Sequence, residues 1–387
     1  MKWSSKKPSR QLKDILERKN EYSFGVKIHQ KYPIPSRDMM IHLPENFPSS
    51  KSDLLTEANR IREERYGKKI SASRNYFFPL VKYCRNSCLY CGFSRKSAER
   101  KRFSEMVMEP ETVLTQLEIA KQANCREALF VLGDRPEQIN KKVAKFFREH
   151  GFETSVDYVE WACRETLRKG LEPHVNLGVI SYEEWEQLKP VIASAGLMLE
   201  NISERLTEKG MAHHASPDKI PSVRIKCIED ALELKIPFTS GILIGIGETQ
   251  AEREATIHEL RRFSMEYETL QEIIVQPFHP LPNSPWRNKP QASANLLIET
   301  IAFSRVTLPP EINIQFPPNL TEFPIIEGIK AGANDLGGIS PVTIDYVNYT
   351  SPWPKWDFLE SYLGNNGFEL TERGPVYSDW MKYSSIY

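Results

Sequence analysis

Three cysteines lie close together in the sequence and could hold a metal centre. Cys84, Cys88 and Cys91 fall within the segment Cys-Arg-Asn-Ser-Cys-Leu-Tyr-Cys, whereas the other three cysteines are scattered. A structural zinc site takes four ligands, usually from paired cysteine units, and no second pair follows at a finger-like distance. Thiolates also hold iron–sulfur clusters, where three ligands on a four-iron cluster leave one iron open to a small molecule. The spacing favours such a cluster, with zinc or buried thiols as open alternatives.

The composition narrows the class of protein further. The chain has 387 residues, with 51 basic and 51 acidic side chains and therefore no net charge. This charge balance gives no indication of a nucleic-acid partner. No apolar run is long enough to span a membrane, and the basic N-terminus lacks the apolar stretch of a secretory signal. We therefore expect a cytoplasmic protein without a membrane partner.

Short apolar runs alternate with amphipathic helical stretches from about residue 73 onwards. Many of the runs are apolar on both faces, which is typical of parallel strands covered by helices. The predicted strands span residues 76–81, 128–133, 174–179, 196–200, 238–245, 272–278 and 312–316, with an eighth near 337–340. This rhythm predicts an α/β fold, a (β/α)8 TIM-type barrel that is closed or slightly open, with a doubly wound sheet as the alternative.

The barrel is predicted to have an extension at each end. Residues 1–70 are read as an N-terminal, partly helical extension, residues 71–341 as the barrel, and residues 342–387 as a C-terminal tail packed on it. A parallel barrel places its functional groups at the carboxyl ends of its strands. The cysteine segment directly follows the first predicted strand and therefore falls at that face.

Polar residues recur where the later apolar strands stop. Asp134 follows the second strand, His174 and Asn176 lie on the third, Glu200 ends the fourth and Gln276 lies on the sixth. Taken singly, each residue could be a helix cap or a loop residue. Together with the three cysteines, they predict a site at one face of the barrel.

The cysteine segment after a first barrel strand, with an aromatic residue before the last cysteine, resembles the radical S-adenosylmethionine (SAM) superfamily. The resemblance implies that Cys84, Cys88 and Cys91 hold a 4Fe–4S cluster whose open iron binds SAM. It also implies that the reduced cluster cleaves SAM to methionine and a 5′-deoxyadenosyl radical, which takes a hydrogen atom from the substrate. The cofactors implied are thus a 4Fe–4S cluster and SAM.

The resemblance assigns SAM contacts to several strand-end residues. Tyr90 matches the residue that lies on the adenine, and Gly133-Asp134 resembles the segment that holds the SAM amino group. Glu200 matches the ligand of the ribose hydroxyls. Arg224 matches an arginine on the SAM carboxylate, with Arg205 as a rival for the same role.

A further segment resembles the family's motif near the adenine. Gly241, Gly245 and Glu248 fit this motif, in which Leu243 stands where the family has Ile. The segment lacks the third glycine of a dinucleotide-binding loop, which argues against that reading. Gln276 is a candidate contact of adenine or substrate.

Longer strings, including residues 127–137, 173–178 and 236–249, are similar to the smaller, ring-closing subunit of the enzymes that make the deazaflavin chromophore. This resemblance covers roughly residues 70–355. It implies a small-molecule substrate, a hydroxybenzyl adduct of ribitylaminouracil made by a companion radical SAM enzyme, and the release of ammonia on ring closure. Alternatives are another radical SAM enzyme of the biotin synthase or tyrosine lyase type, and a zinc-stabilised binding protein without catalysis.

Three residues are candidate substrate or catalytic groups. His174 and Asn176 lie two apart on one strand, so their side chains point to the same side. Asp345 follows the predicted eighth strand and could contact ribityl hydroxyls or transfer a proton. The basic run from Arg95 to Arg102 follows the cysteines and could dock an acidic electron donor of the flavodoxin or ferredoxin type.

Overall fold

The computed structural model describes residues 47–48, 50–94, 102–321 and 323–387. Most of the predicted N-terminal extension and all but the last residue of the basic run therefore lie outside the described residues. Within them, the nine strands are β1 (Lys69–Val81), β2 (Glu127–Leu132), β3 (Glu172–Asn176), β4 (Ser194–Gly196), β5 (Phe238–Ile244), β6 (Leu270–Pro277), β7 (Asn313–Gln315), β8 (Asp335–Ile339) and β9 (Glu369–Arg373).

Helices connect the strands and cover the outside of the sheet. In the described residues they are α1 (Lys51–Tyr66), α2 (Phe103–Met106), α3 (Pro110–Gln122), α4 (Pro136–Ile139), α5 (Lys141–Glu149), α6 (Ser155–Arg168), α7 (Tyr182–Leu188), α8 (Pro221–Glu233), α9 (Gln250–Glu266), α10 (Ala294–Thr307), α11 (Ile325–Lys330) and α12 (Trp356–Asn365). No helix in the described part of the chain is long and apolar enough to cross a membrane.

The first eight strands form a closed parallel barrel. Each strand from β1 to β8 pairs with the next, and β8 pairs back to β1. All these pairings are parallel, and the buried apolar side chains of strands and surrounding helices merge into one core. The predicted (β/α)8 TIM-type fold is therefore confirmed, and the closed order excludes the doubly wound alternative.

Several helices begin with a side chain that satisfies their first free backbone N–H groups. Thr154, Ser181 and Thr249 each accept a hydrogen bond from the N–H three residues later, and the acidic side chain at that position reaches back to the cap. Such capping boxes define where α6, α7 and α9 start. Because they fix the first residue of each helix, they also fix where the preceding loop ends.

The ninth strand closes the opposite, amino end of the barrel. β9 pairs with Lys69–Ser73, the lower half of β1. It lies along the same edge of β1 as β2, which pairs only with the upper half, from Asn75 to Val81. Its last residue, Arg373, donates to Asp335 from Nε at 2.6 Å and to Glu272 from Nη2 at 3.0 Å. Tyr377 adds a 2.5 Å bond from its hydroxyl to Glu272. We call these four side chains the barrel floor. Glu272, Asp335 and Tyr377 are buried, the Arg373 side chain is 12% exposed, and the contacts are charge-assisted.

Candidate active site

The cysteine loop follows β1 and lines a cavity at the carboxyl end of the barrel. All three thiols are free, and they share the walls of a cavity of about 220 Å³ that is partly open to solvent. The loop is tied to its neighbours through the N–H of Ser87, which donates to Ser216 Oγ at 2.9 Å, and of Leu89, which donates to the Ala212 carbonyl at 3.0 Å. The cysteines are therefore held by loops from other strands.

Backbone N–H groups point at two of the three sulfurs. The Asp134 N–H donates to Cys84 Sγ at 3.2 Å, and the Ser94 N–H donates to Cys91 Sγ at 3.5 Å. Burial raises the pKa of Cys84 to about 12 and also raises that of Cys91. Iron binding must therefore displace protons from these thiols, and the N–H donors stabilise the thiolates that result.

The donor set fits a multi-iron cluster. Among the described residues, no three His, Cys, Asp or Glu side chains are arranged as ligands of a single metal ion. A 4Fe–4S cluster makes a different demand, because each thiolate binds a different iron. Three free thiols distributed around one cavity, two of them with N–H donors, suit that arrangement.

The segment after β2 brings a carboxylate against the cysteine loop. A side chain at Gly133 would collide with the Tyr83 carbonyl oxygen and Cys84 Cβ, so this close approach requires glycine. The Asp134 carboxylate accepts hydrogen bonds from Asn86 Nδ2 and from the Val179 N–H, both at 2.6 Å. Burial raises the pKa of Asp134. Gly133 and Asp134 thus line the cavity beside the first cysteine, as the sequence predicted.

A second carboxylate enters the cavity from the end of β4. Glu200 has a positive φ of 65°, and its carboxylate forms a 2.6 Å ion pair with the Lys219 ammonium. Both side chains are about nine-tenths buried, with 10% and 12% exposure, and both line the cavity. The opposite charge of the lysine offsets part of the cost of placing the carboxylate away from water.

The two rival arginines occupy different places. Arg224 lines the cavity and donates from Nε to the Met198 carbonyl at 2.7 Å and from Nη1 to the Asp218 carbonyl at 3.0 Å. Arg205 instead pairs with Glu252 at 2.7 Å, away from the residues that line the cavity. The placement therefore favours Arg224 for an anionic ligand group.

Tyr90 lies in the cavity wall next to a buried histidine. Its hydroxyl is 3.2 Å from His213 Nε2, and the two rings meet edge to face. Burial raises the pKa of Tyr90 well above its usual value and lowers the pKa of His213 to about 2. The pair is therefore neutral, and it holds the Tyr90 ring in a fixed orientation.

The glycine motif covers the end of β5 and the loop after it, and it shapes one wall of the cavity. A side chain at Gly241 would collide with the Ile274 carbonyl oxygen on the neighbouring strand. Glu248 accepts the N–H groups of Gly245 and Ile246 at 2.9 and 2.8 Å and pairs with Arg253 at 3.0 Å. Of this segment, Leu243 is the residue that lines the cavity.

The predicted substrate residues separate into two groups. Asn176 and Gln276 line the cavity, whereas His174 lies lower in the barrel and is bonded to Ser194 Oγ at 2.7 Å. Burial lowers the pKa of His174 to about 3. Asp345 accepts N–H groups of Val347 and Asn348, both at 2.9 Å, and so organises its own loop.

Several polar cavity residues were not predicted from the sequence, and Asn86, Lys219, His279 and Asn348 are among them. Asn86 stands between the first two cysteines, and Lys219 lies five residues before Arg224. His279 follows the end of β6 closely, so the rule of polar residues at strand ends could have found it. Asn348 lies in an irregular loop, and nothing in its sequence context marks it.

Comparison with known proteins identifies the class that this barrel and three-thiol site define. Residues 78–260 match the Radical SAM superfamily. The FeFe-hydrogenase maturase HydG of Carboxydothermus hydrogenoformans has a similar structure, with a TM-score of 0.68 over 83% of this chain and 72% of that one. The sequence identity is 20%, so this likeness supports the fold alone.

Two curated relatives are more similar in sequence. The 7,8-didemethyl-8-hydroxy-5-deazariboflavin synthase of Methanothermobacter thermautotrophicus is 44% identical over 79% of this chain and 90% of its own length. The FO synthase of Streptomyces avermitilis is 40% identical over 85% of this chain, which corresponds to 39% of that longer protein. The chain belongs to the radical SAM superfamily and, within it, to the family of 7,8-didemethyl-8-hydroxy-5-deazariboflavin synthases. Radical SAM proteins use a 4Fe–4S cluster and SAM, as predicted.

Proposed function

We propose that the chain converts 5-amino-5-(4-hydroxybenzyl)-6-(D-ribitylimino)-5,6-dihydrouracil to 7,8-didemethyl-8-hydroxy-5-deazariboflavin, with release of ammonia, methionine and 5′-deoxyadenosine. The observation that carries the proposal is the meeting of three free thiols, two carboxylates and two cations in one barrel-end cavity of a chain from this family. When bound, the reduced cluster and SAM supply the abstraction of a hydrogen atom. The protein supplies binding, orientation and exclusion of water.

The charged part of the cavity suits the polar groups of SAM. The Asp134 carboxylate is an acceptor for the SAM ammonium, and the Arg224 guanidinium is a donor to the SAM carboxylate. Glu200 is an acceptor for the ribose hydroxyls, and Lys219 holds it at 2.6 Å. Tyr90, fixed by His213, offers a flat ring to the adenine.

The glycine motif after β5 supports this site from behind. Glu248 fixes the loop by accepting two N–H groups, and Gly241 lets β5 and β6 approach closely. We assign Gly241, Gly245 and Glu248 a positioning role for the adenine wall. Asn176, which lines the cavity from β3, is assigned a substrate contact.

The remaining parts of the chain are proposed to serve the same reaction. Residues 71–341 act as the catalytic barrel, and residues 342–387 act as a tail that packs on it. The first part of the tail carries Asn348 to the cavity, and its later part, with β9, seals the amino end. All six cysteines are free thiols, which suits a reducing compartment such as the cytoplasm. A companion enzyme supplies the adduct, and a flavodoxin- or ferredoxin-type protein supplies electrons.

The test is anaerobic reconstitution with iron and sulfide, followed by dithionite, SAM and the synthetic adduct, with products identified by mass spectrometry. We expect both 5′-deoxyadenosine and the deazaflavin. Deoxyadenosine without the deazaflavin would retain radical SAM chemistry and contradict the substrate. Neither product, from protein shown to hold its cluster, would contradict the enzymatic function itself.

A further inference from the structure

One side of the cavity carries polar groups but no charge. We call Gln276 on β6, His279 in the loop after β6, and Asn348 in the loop after β8 the amide wall. The Asp, Glu, Lys and Arg side chains that line the cavity all come from other segments: Asp134, Glu200, Lys219 and Arg224. The cavity therefore has a charged side and an uncharged polar side.

The loop that carries Asn348 is fixed from below by Asp345. Asp345 accepts the backbone N–H of Asn348 at 2.9 Å and its Nδ2 at 3.2 Å. Asn319 donates from Nδ2 to the same carboxylate at 3.1 Å. With Nδ2 of Asn348 engaged, its Oδ1 is the free acceptor, and within the described residues no donor reaches it. Asn348 is only 8% exposed, so this acceptor faces little competing water.

His279 is oriented by a chain of hydrogen bonds that defines its tautomer. Gln291 donates from Nε2 to the Leu320 carbonyl at 3.3 Å, so its Oε1 is an acceptor. His279 Nδ1 lies 2.9 Å from this oxygen and therefore carries the proton. The other ring nitrogen, Nε2, makes only long contacts, at 3.4 and 3.5 Å from the hydroxyls of Thr350 and Ser351.

The amide wall differs from the charged side in how well its groups are paired. On the charged side, Asp134 accepts two hydrogen bonds, Glu200 is paired with Lys219, and Arg224 donates to two carbonyls. In the described part of the chain, no hydrogen bond engages the Gln276 amide. The half-buried Gln276 amide and the Asn348 Oδ1 therefore line the cavity with hydrogen-bonding capacity for a ligand that has matching N–H, O–H and C=O groups.

We propose that Gln276, His279 and Asn348 bind the uncharged polar end of the substrate, the pyrimidinedione ring with its hydroxylated chain. This inference rests on the proposed function and names residues that determine its specificity. These side chains suit the alternating N–H and C=O groups of a pyrimidinedione, because the Gln276 amide offers both a donor and an acceptor and Asn348 Oδ1 offers a further acceptor. The absence of charge suits a neutral ring, which would leave a buried cation or carboxylate unpaired.

The experiment compares two ligands by isothermal titration calorimetry on the reconstituted protein. The probes are the product, 7,8-didemethyl-8-hydroxy-5-deazariboflavin, and S-adenosylhomocysteine. We expect Gln276→Leu and Asn348→Leu each to weaken product binding about 5- to 100-fold, the usual effect of losing a buried hydrogen bond. S-adenosylhomocysteine binding should stay within about twofold. Lys219→Met should show the reverse pattern, and Asn59→Ala, on α1 and outside the cavity, should change neither.

The outcomes separate this inference from the proposed function. Wild-type protein that forms the deazaflavin, with Leu variants that bind the product normally, would overturn the inference alone. Equal weakening of both ligands, or weakening of S-adenosylhomocysteine only, would assign the amide wall to the cofactor and also overturn it. Wild-type protein that cleaves SAM without forming the deazaflavin would contradict the proposed substrate, and the inference would fall with it. Gln276→Leu guards against a folding defect in Asn348→Leu, because Gln276 carries no described bond.

Discussion

Both ends of the barrel contain polar side chains, but those at the amino end are paired with one another, whereas several at the carboxyl end face a cavity. At the amino end, the barrel floor joins Arg373, Tyr377, Glu272 and Asp335 in a network whose bonds run from 2.5 to 3.0 Å. At the carboxyl end, the three thiols and the amide wall surround a cavity and keep binding capacity. The same eight strands thus carry a sealed polar network at one end and an open one at the other.

This difference in pairing distinguishes polar groups that stabilise the fold from polar groups that can bind a ligand. A polar group that is fully paired inside the protein stabilises or orients the fold, whereas one that faces a cavity without a partner is available to a ligand. The Asp335 carboxylate accepts four hydrogen bonds, one from Ser71, one from Gly337 and two from the Arg373 guanidinium. It therefore has no acceptor position left for a ligand. Substitutions at the two ends should therefore affect different measurements.

The largest effect is expected at the open end, from replacing a cluster cysteine. Cys84→Ser, Cys88→Ser or Cys91→Ser should reduce bound iron from roughly four atoms per chain towards none and abolish 5′-deoxyadenosine formation, because each thiolate holds one iron. The melting temperature of the iron-free protein should change little. Iron analysis and product analysis after anaerobic reconstitution check this.

The matched control is Cys125→Ser, at a buried thiol that contacts the Asn75 carbonyl oxygen at 3.5 Å, outside the cavity. It should retain iron and SAM cleavage. Full iron content in a variant lacking all three loop cysteines would place the metal elsewhere and refute the assignment.

The next largest effect is expected at the sealed end. Arg373→Met leaves Glu272 and Asp335 buried beside each other without their cation, and should lower the free energy of unfolding by about 3–5 kcal/mol. Urea unfolding of the reduced protein measures it. Arg65→Met, which removes an exposed ion pair to Asp379 in the same C-terminal segment, should cost less than about 1 kcal/mol. Equal losses in the two variants would show that the floor is not a buried network.

The smallest effect concerns the pH dependence of stability. Burial raises the pKa of Glu272 from 4.5 to about 7. Between these values the folded state keeps a proton that the unfolded state has lost, so the free energy of unfolding falls as pH rises through this window. In the wild type, this decrease in the free energy of unfolding should be on the order of 1–3 kcal/mol between about pH 5 and pH 8. Glu272→Gln should abolish it.

Urea titrations at several pH values provide the measurement, with Glu252→Gln as the control. A hydrogen bond from Arg205 lowers the pKa of Glu252 to about 2, so its own contribution is lost only below about pH 4.5. The control should therefore keep the wild-type slope in the tested window. A Glu272→Gln variant with an unchanged slope would assign the titration to another group.

Local patterns predicted most of the strands but not the full length of the first one. The apolar run 76–81 was predicted as a strand, and β1 extends from Lys69 to Val81. Its lower half, Lys-Ile-Ser-Ala-Ser-Arg-Asn, mixes polar and small residues and shows no strand-like run. It becomes a strand because β8 and β9, both distant in the chain, pair with its two edges. Such a tertiary partner is invisible to a local pattern.

The sequence predicted site residues well where a motif specified them. It predicted them less well where the height of the residue along the barrel decides whether its side chain reaches the cavity. His174 and Asn176 share a side of β3, as predicted, but two residues along a strand differ by roughly 6–7 Å in height. Asn176 therefore reaches the cavity, whereas His174 bonds to Ser194 below it. Lys219 and Asn348 depend on loop conformations, which periodicity does not describe.

The pairing of β9 with β1 also has a consequence for how the protein is made. Thr371 and Ile70, which share a hydrogen bond, are 301 positions apart in the chain. Because a ribosome releases the N-terminal part first, β1 must wait for nearly the whole chain before its lower half finds this partner. Contacts this distant in sequence are slow to form. A nascent or truncated chain that ends before Glu369 would therefore expose the lower edge of β1, and chaperones or proteases would meet that edge before the cluster could be loaded.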